Sequence, residues 1–277
     1  MTSSHQYHIS VGQDNWVVDS AVDTVKSFAS GCEQGIVASM KVMAVKTRVF
    51  QEGEDLAALI TEHIPNLKEG SIIAVASKIV ALSENRVVDT TEDKEALIKK
   101  ESEWMKHVFG KWWLTVRDGT VVVNAGIDES NAAGKMILLP EDSFASAQRL
   151  YTSVLPHFAK ASQDKQKARI RNLGIIITDS RIMPLRAGVV GVALGYTGFK
   201  GVRDYRGEPD LFGRPMEVTQ TDVADSLATA ATLVMGEGAE CQPLAVIEDA
   251  PVEWTEATDR EELKIPRDQD MFKHLFE

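Results

Sequence analysis

The sequence predicts a mixed α/β (α+β) protein in which mixed sheets carry packed helices. Three observations point there. Short apolar runs, SIIAVAS at 71–77 and LGIIIT at 173–178, read as strands buried on both faces. Segments with apolar residues at helical spacing stand between such runs. Strands and helices do not keep a strict βαβ rhythm, which argues against a purely doubly wound sheet.

The elements follow in order. Residues 1–39 differ in texture from the rest: MTSSHQYHISVGQDNW has no helical period and no Lys or Arg, so it lacks the basic start of a secretory signal. WVVDSAVDTVKSFA reads either as an extra strand and helix or as part of a loose tail. Met40 opens a strand-like run, MKVMAVKTRVF, and with it the main domain. GEDLAALITEHI sets Leu56, Leu59, Ile60 and His63 at helical spacing, with Glu54 and Asp55 where carboxylates suit the helix dipole. Beyond the Pro65-Asn66 break and the SIIAVAS strand, Glu92 to Phe109 reads as mostly helical. WWLTV and TVVVN flank Arg117-Asp118-Gly119, an Asp-Gly hairpin signal. Asp142 to Phe158 puts Phe144, Ala147, Leu150, Tyr151 and Val154 on one helical face. A charged stretch, KASQDKQKARIRN, leads into LGIIIT. Ala187 to Gly207 is glycine-rich, which serves either tight packing or close approach to a phosphate. DYRGEPDLFGRP reads as consecutive turns. Thr219 to Met235 reads as a helix capped by Thr219 or Thr221 and ended by Gly236. The division is thus an extension over 1–39, a domain over 40–250 and an acidic tail over 251–277.

Composition limits the function. With 277 residues, 44% hydrophobic and 26% charged, the chain can build a full core and is not a disordered protein. No apolar run reaches the roughly 18–20 residues of a membrane span. A net charge of −11 argues against a nucleic-acid surface. Two distant cysteines, Cys32 and Cys241, give neither a zinc motif nor a disulfide framework and point to a reducing cytoplasm. A P-loop, a GxSxG elbow and an HExxH motif are all absent; GEGAEC at 236–241 is an incomplete GxGxxG that follows a helix.

Two carboxylates stand out. Asp179 follows LGIIIT directly, with Ser180 beside it, at the end of a buried strand. Asp128 lies in NAGIDESN, just after TVVVN. Ligands bind at such strand ends in open α/β sheets, and oxygen-rich clusters there suit Mg²⁺ or Mn²⁺ on a nucleotide's phosphates. Each position has a plain alternative, an Asp capping the following turn. A carboxylate at a strand end lies outside the core, so Asp179→Asn is expected to leave the fold nearly intact.

Taken together, NAGIDESN, LLP, the strand ending in Asp179-Ser180, DLFGR and VADSLATAATLVMGEG resemble the coenzyme F420-0:L-glutamate ligase family, including its folate-directed relatives. The likeness runs from about Lys41 to Asp249. It implies a F420-0:gamma-glutamyl ligase-like fold of two intertwined lobes and a cytoplasmic homodimer. The implied activity is a GTP- or ATP-dependent amide ligase that adds L-glutamate to F420-0 or a folate-type acceptor. Two Mg²⁺ or Mn²⁺ ions, with K⁺ as a further cofactor, belong to the same implication. By position, Asp128, Asp179, Ser180 and Glu237 resemble metal ligands. Thr47, Arg48, Val49, Phe50, Ser77, Lys78, Asn131 and the segment Met235, Gly236, Glu237, Gly238, Ala239, Glu240 resemble nucleotide contacts. RIMPLR replaces a Gly-Arg turn of the family, so Arg181 and Arg186 are left to supply positive charge. Arg186 is the expected catalytic residue and Arg181 the expected acceptor or surface residue. A non-catalytic nucleotide- or cofactor-binding protein that keeps the fold is the alternative.

Overall fold

The computed structural model describes residues 39–160 and 170–276. The expected extension over 1–39 therefore lies outside the described residues, Ser39 excepted, as does most of the charged stretch before LGIIIT. The described chain falls into two compact units, residues 205–219 and residues 39–204 with 220–276.

The larger unit is built on a five-stranded sheet. Its strands are β1 (Lys41–Val45), β12 (Leu244–Glu248), β2 (Ser71–Ala76), β8 (Leu173–Ile182) and β9 (Val189–Thr197), in that spatial order. The β2–β8 pair is parallel, and the other three pairs are antiparallel. The sheet is thus mixed, as the broken rhythm of elements predicts. Both faces are covered at its centre, which is why residues 72–76 of β2 and 173–177 of β8 are unbroken apolar runs. On one face Ile73, Val75, Ile175, Ile177, Leu244 and Val246 pack against α1 (Leu56–His63) and α4 (Ser143–Lys160). On the other face Ile72, Ala74, Ile176, Ala245 and Ile247 pack against Ala224, Leu227, Ala228 and Ala231 of α5 (Val223–Met235). Leu59 and Ile60 are fully buried, and each contributes about 1.5–3 kcal/mol by leaving water.

Caps fix the helix starts. Asp55 accepts from the amides of Ala57 and Ala58 and begins α1. Asp222 accepts from the Asp225 amide and begins α5, so the cap is neither Thr219 nor Thr221. Residues 220–222 form the short strand β11 instead, paired with β10 (Val202–Asp204). Gly236 ends α5 at φ +79°.

One expected element is overturned. Glu92 to Phe109 is not a mostly helical stretch: α3 covers only Lys94–Lys100, and Trp104–Phe109 is β4. The aromatic and β-branched residues of WMKHVF find an antiparallel partner in β5 (Trp112–Arg117), with His107 ring-packed on Trp113, and this pairing decides the matter. The Asp-Gly hairpin forms as expected between β5 and β6 (Thr120–Val123), with Asp118 and Gly119 both at positive φ. Two short strands, β3 (Val87–Asp89) and β7 (Lys135–Ile137), pair with each other, and α2 (Ser77–Ser83) follows β2 without a loop.

The smaller unit, residues 205–219, is a tight excursion. Gly207 and Met216 bond across it, Asp210 accepts from the amides of Phe212 and Arg214, and Leu211 and Phe212 are exposed at its tip.

Residues 251–276 are anchored along the larger unit. Val252, Trp254 and Leu263 pack on the α5 side of the sheet. Glu262 Oε1 accepts from the Tyr196 hydroxyl and the Gly201 amide, both at 2.6 Å. Burial, with the Glu262 carboxylate beside it, pushes the Tyr196 hydroxyl far above its ordinary pKa. Glu262→Ala strands two buried donors and is expected to cost about 2–3 kcal/mol. Urea denaturation reads this, and an unchanged midpoint would show that the anchor carries no stability. Among the described residues no helix is long and apolar enough to cross a membrane.

Candidate active site

The site grows from the parallel pair at the centre of the sheet. Because β2 and β8 run the same way, with Ala76 opposite Thr178, their following residues emerge at one edge. Ser77 and Lys78 follow β2, and Asp179 and Ser180 follow Thr178. β8 does not stop at Thr178, however. It runs on to Ile182, paired with β9 through Asp179 and Val192, past a register shift between Ile177 and Thr178. Asp179 therefore stands beyond the end of β2 on a strand that continues, which fixes it more firmly than a loop would.

Ser77 Oγ donates to Asp179 Oδ1 at 2.8 Å, and the Arg181 guanidinium forms an ion pair with Asp179 Oδ2. Ser180 Oγ donates to Glu237 Oε1 at 2.6 Å, which ties the strand to the loop after α5.

Asp128 is presented by a turn in which Asn124, Ala125 and Gly126 all have positive φ. Asn124 Oδ1 accepts from the Trp113 amide, and Thr115 Oγ1 accepts from the Ala125 amide, each at 2.9 Å. These bonds hold a backbone shape that an L-residue adopts at a cost of about 1–2 kcal/mol. Asp128 Oδ1 accepts from the Ser130 amide, which is the expected turn cap, and Asp128 Oδ2 lies 2.8 Å from Lys78 Nζ. Burial works to raise the Asp128 carboxyl, and the Lys78 ammonium with the Ser130 amide and hydroxyl outweigh it, holding the group below the usual carboxylate range. Asn131 Nδ2 donates to the Gly238 carbonyl at 3.2 Å and joins NAGIDESN to MGEG.

These groups line one open cavity of about 680 Å³. Thr47, Arg48, Val49, Phe50, Ser77, Lys78, Asp128, Asn131, Asp179, Ser180 and Arg181 line it, with the whole segment Met235 to Glu240. The Thr47 amide donates to the Cys241 carbonyl at 2.9 Å, which brings the first and last of these segments together. Arg48 is exposed and paired with Glu54 at 2.6 Å.

The two arginines are placed differently from expectation. Arg186 lies on the exposed turn between β8 and β9, beside a fully exposed Leu185, and does not line the cavity. The side chain of Arg181 is only 6% exposed although it lines the cavity, so it is not a surface residue. Burial pulls its guanidinium down to about 10, opposed by the Asp225 carboxylate, so it is cationic at neutral pH. The alternation of a strand is the reason: Arg181 is two residues from Asp179 and shares its face.

Trp112, Val122, Thr232 and Gln242 also line the cavity and are not among the expected site residues, although Thr232 lies within VADSLATAATLVMGEG. The Asp-Gly hairpin was the available signal for Trp112, since it folds β5 back beside Asn124.

The donor set fits a hard divalent ion. Among the described residues no three His, Cys, Asp or Glu side chains gather into a ready-made cage. Mg²⁺ bound with a nucleotide needs only one or two carboxylates, the rest coming from phosphates and water. Asp179, Ser180 and Glu237 offer oxygen donors of that kind.

The family model described as F420-0:Gamma-glutamyl ligase matches residues 44–249. The coenzyme F420:L-glutamate ligase of Methanococcus maripaludis (strain C7) is 32% identical over 255 residues, covering 84% of this chain and 97% of the relative. That of Methanopyrus kandleri is 35% identical over 224 residues, covering 72% and 82%. That of Archaeoglobus fulgidus is 33% identical over 218 residues, covering 72% and 83%. With the family model matching residues 44–249 of this chain, and with relatives above 30% identity along most of both chains, this chain belongs to the F420-0:gamma-glutamyl ligase family.

Proposed function

We propose that this protein is an amide ligase that adds L-glutamate to the carboxylate of F420-0, driven by GTP or ATP through an acyl phosphate. The observation that carries the reading is the convergence of Asp128, Asp179, Ser180 and Glu237 on one cavity. The named relatives support F420-0 as acceptor.

A carboxylate and an amine do not condense in water, so the acceptor must first be activated. Its carboxylate oxygen attacks the γ-phosphorus, the bond to the β-phosphate oxygen breaks, and the nucleoside diphosphate leaves. The glutamate amine then attacks the acyl carbon. The C–N bond forms, the C–O bond to phosphate breaks, and the amine proton passes to the departing phosphate or to water.

Positioning and charge neutralisation do most of the work in such transfers. Asp179, Ser180 and Glu237 would hold one divalent ion and Asp128 would serve a second; when bound, the ions neutralise charge on the β- and γ-phosphates. Lys78, 2.8 Å from Asp128, adds a point charge for the phosphate chain. Asn131 fixes the Gly238 loop against the NAGIDESN turn, and Thr47 to Phe50 close the cavity's other side. A cavity of about 680 Å³ is in the range that encloses small-molecule substrates.

Mass spectrometry of F420-0 and folate, each incubated with L-glutamate, GTP or ATP, and Mn²⁺, tests the reading. A glutamyl adduct on F420-0, lost with EDTA and restored by Mn²⁺ or Mg²⁺, is expected. An adduct on folate alone would move the acceptor, and no adduct on either would return the non-catalytic alternative.

A further inference from the structure

Asp128 and Asp179 are each already paired with a cation of this chain. Lys78 Nζ stands 2.8 Å from Asp128 Oδ2, and Arg181 is ion-paired with Asp179 Oδ2. Lys78 is partly exposed beside the cavity, but Arg181 is enclosed. Its Nε and Nη2 are buried without a hydrogen-bond partner among the described residues. Behind it stands Asp225 on α5, whose Oδ1 accepts from the Ala193 amide of β9. Arg181 therefore acts on anything in the cavity as a fixed charge at the back of Asp179.

That charge has opposite effects on the two partners of the site. A guanidinium touching a carboxylate opposes a divalent cation on the same carboxylate, across a few ångströms of partly buried protein where Coulomb energies are large. It favours the phosphates of a nucleotide. We propose that Arg181 is a positioning residue that keeps Asp179 half-neutralised, so that the divalent cation is taken up together with the nucleotide and only weakly alone. The inference rests on Asp179 being a metal ligand.

Mn²⁺ binding to the full chain, followed by electron paramagnetic resonance with and without the β,γ-imido analogues of GTP and ATP, tests it. Arg181→Met and Arg181→Gln are expected to bind Mn²⁺ alone about tenfold more tightly than the unaltered protein. The gain in Mn²⁺ affinity produced by the analogue should shrink by a similar factor. Arg181→Lys, which keeps the charge, should stay near the unaltered protein. A residue that merely supported the fold would weaken Mn²⁺ binding under both conditions. Unchanged or weaker binding of Mn²⁺ alone by the neutral variants overturns the proposal. Unaltered Mn²⁺ binding by Asp179→Asn in the presence of the analogue overturns instead the assignment of Asp179 as a ligand. If Arg181→Met does not fold, as circular dichroism would report, Arg181→Gln carries the same comparison because it keeps a donor for Asp179.

Discussion

Asp179→Asn is expected to lower kcat for glutamate addition by about two to three orders of magnitude, the usual loss when a charge-stabilising group is removed from a polar active site. The amide keeps the shape and one acceptor oxygen but loses the anion that a divalent ion requires. The structure adds a second expectation, a loss of stability that the sequence alone suggested would be slight. Arg181 is buried against Asp179, so neutralising Asp179 leaves a guanidinium inside the protein with Asp225 as its remaining counter-charge. Removing one partner of a fully buried pair costs about 3–5 kcal/mol. Asp179 is 21% exposed and Asp225 persists, so the cost here should be nearer 2 kcal/mol. The double substitution Asp179→Asn with Arg181→Met should recover most of that stability and none of the activity. A double-mutant cycle in urea measures the coupling. Near-normal turnover in Asp179→Asn would remove Asp179 from the reaction altogether.

Gly195→Ala is expected to destabilise the protein by about 3 kcal/mol, at the upper end of overpacking costs. A Cβ at this position would lie 2.5 Å from the Ser143 carbonyl oxygen and 2.6 Å from the Phe144 nitrogen. Both are backbone atoms at the start of α4, so relief requires moving the helix. Gly191 repeats the arrangement on the opposite helix, with the Ala228 carbonyl oxygen 2.5 Å from its absent Cβ. The glycines of β9 thus serve packing, and neither lines the cavity. The nucleotide KM of Gly195→Ala, measured well below its melting temperature, should equal that of the unaltered protein. A raised KM with unchanged melting would revive a phosphate-binding role for this segment.

What could be read in the sequence followed from strong local signals. SIIAVA and LGIIIT carry unbroken apolar runs, residues 72–76 and 173–177, because both faces of the sheet are covered, and each became a central strand. Asp118-Gly119 specified its hairpin through the positive φ that both residues adopt. Asp128 and Asp179 stood out because each follows an apolar run, and both line the one cavity because Lys78 and Ser77, which follow β2, bond to them. The failures have equally local causes. Trp104 to Phe109 continued a helical-looking pattern, and only its pairing with Trp112 to Arg117 made it a strand. The sequence favours Arg186 over Arg181 because it leads into the glycine-rich segment, whereas strand alternation buries Arg181 and a turn carries Arg186 away from the cavity. Glu262 looked like one more acid in a polar tail, since nothing near it in sequence announces Tyr196.

The position of β12 has a consequence for how the chain comes together. The last strand lies between the first two, aligning Ala245 with Ala44 on one side and with Ala74 on the other. Until residues 244–248 are made, β1 and β2 have no common neighbour, and both present unpaired edges. During synthesis the sheet stays unfinished until residues 244–248 have left the ribosome, and its closing contacts join residues far apart in sequence. Such pairings are entropically slow to form, and their open edges invite association between nascent chains. Slow, chaperone-sensitive refolding that gains most of its cooperativity in the final step is the kinetic signature this arrangement dictates.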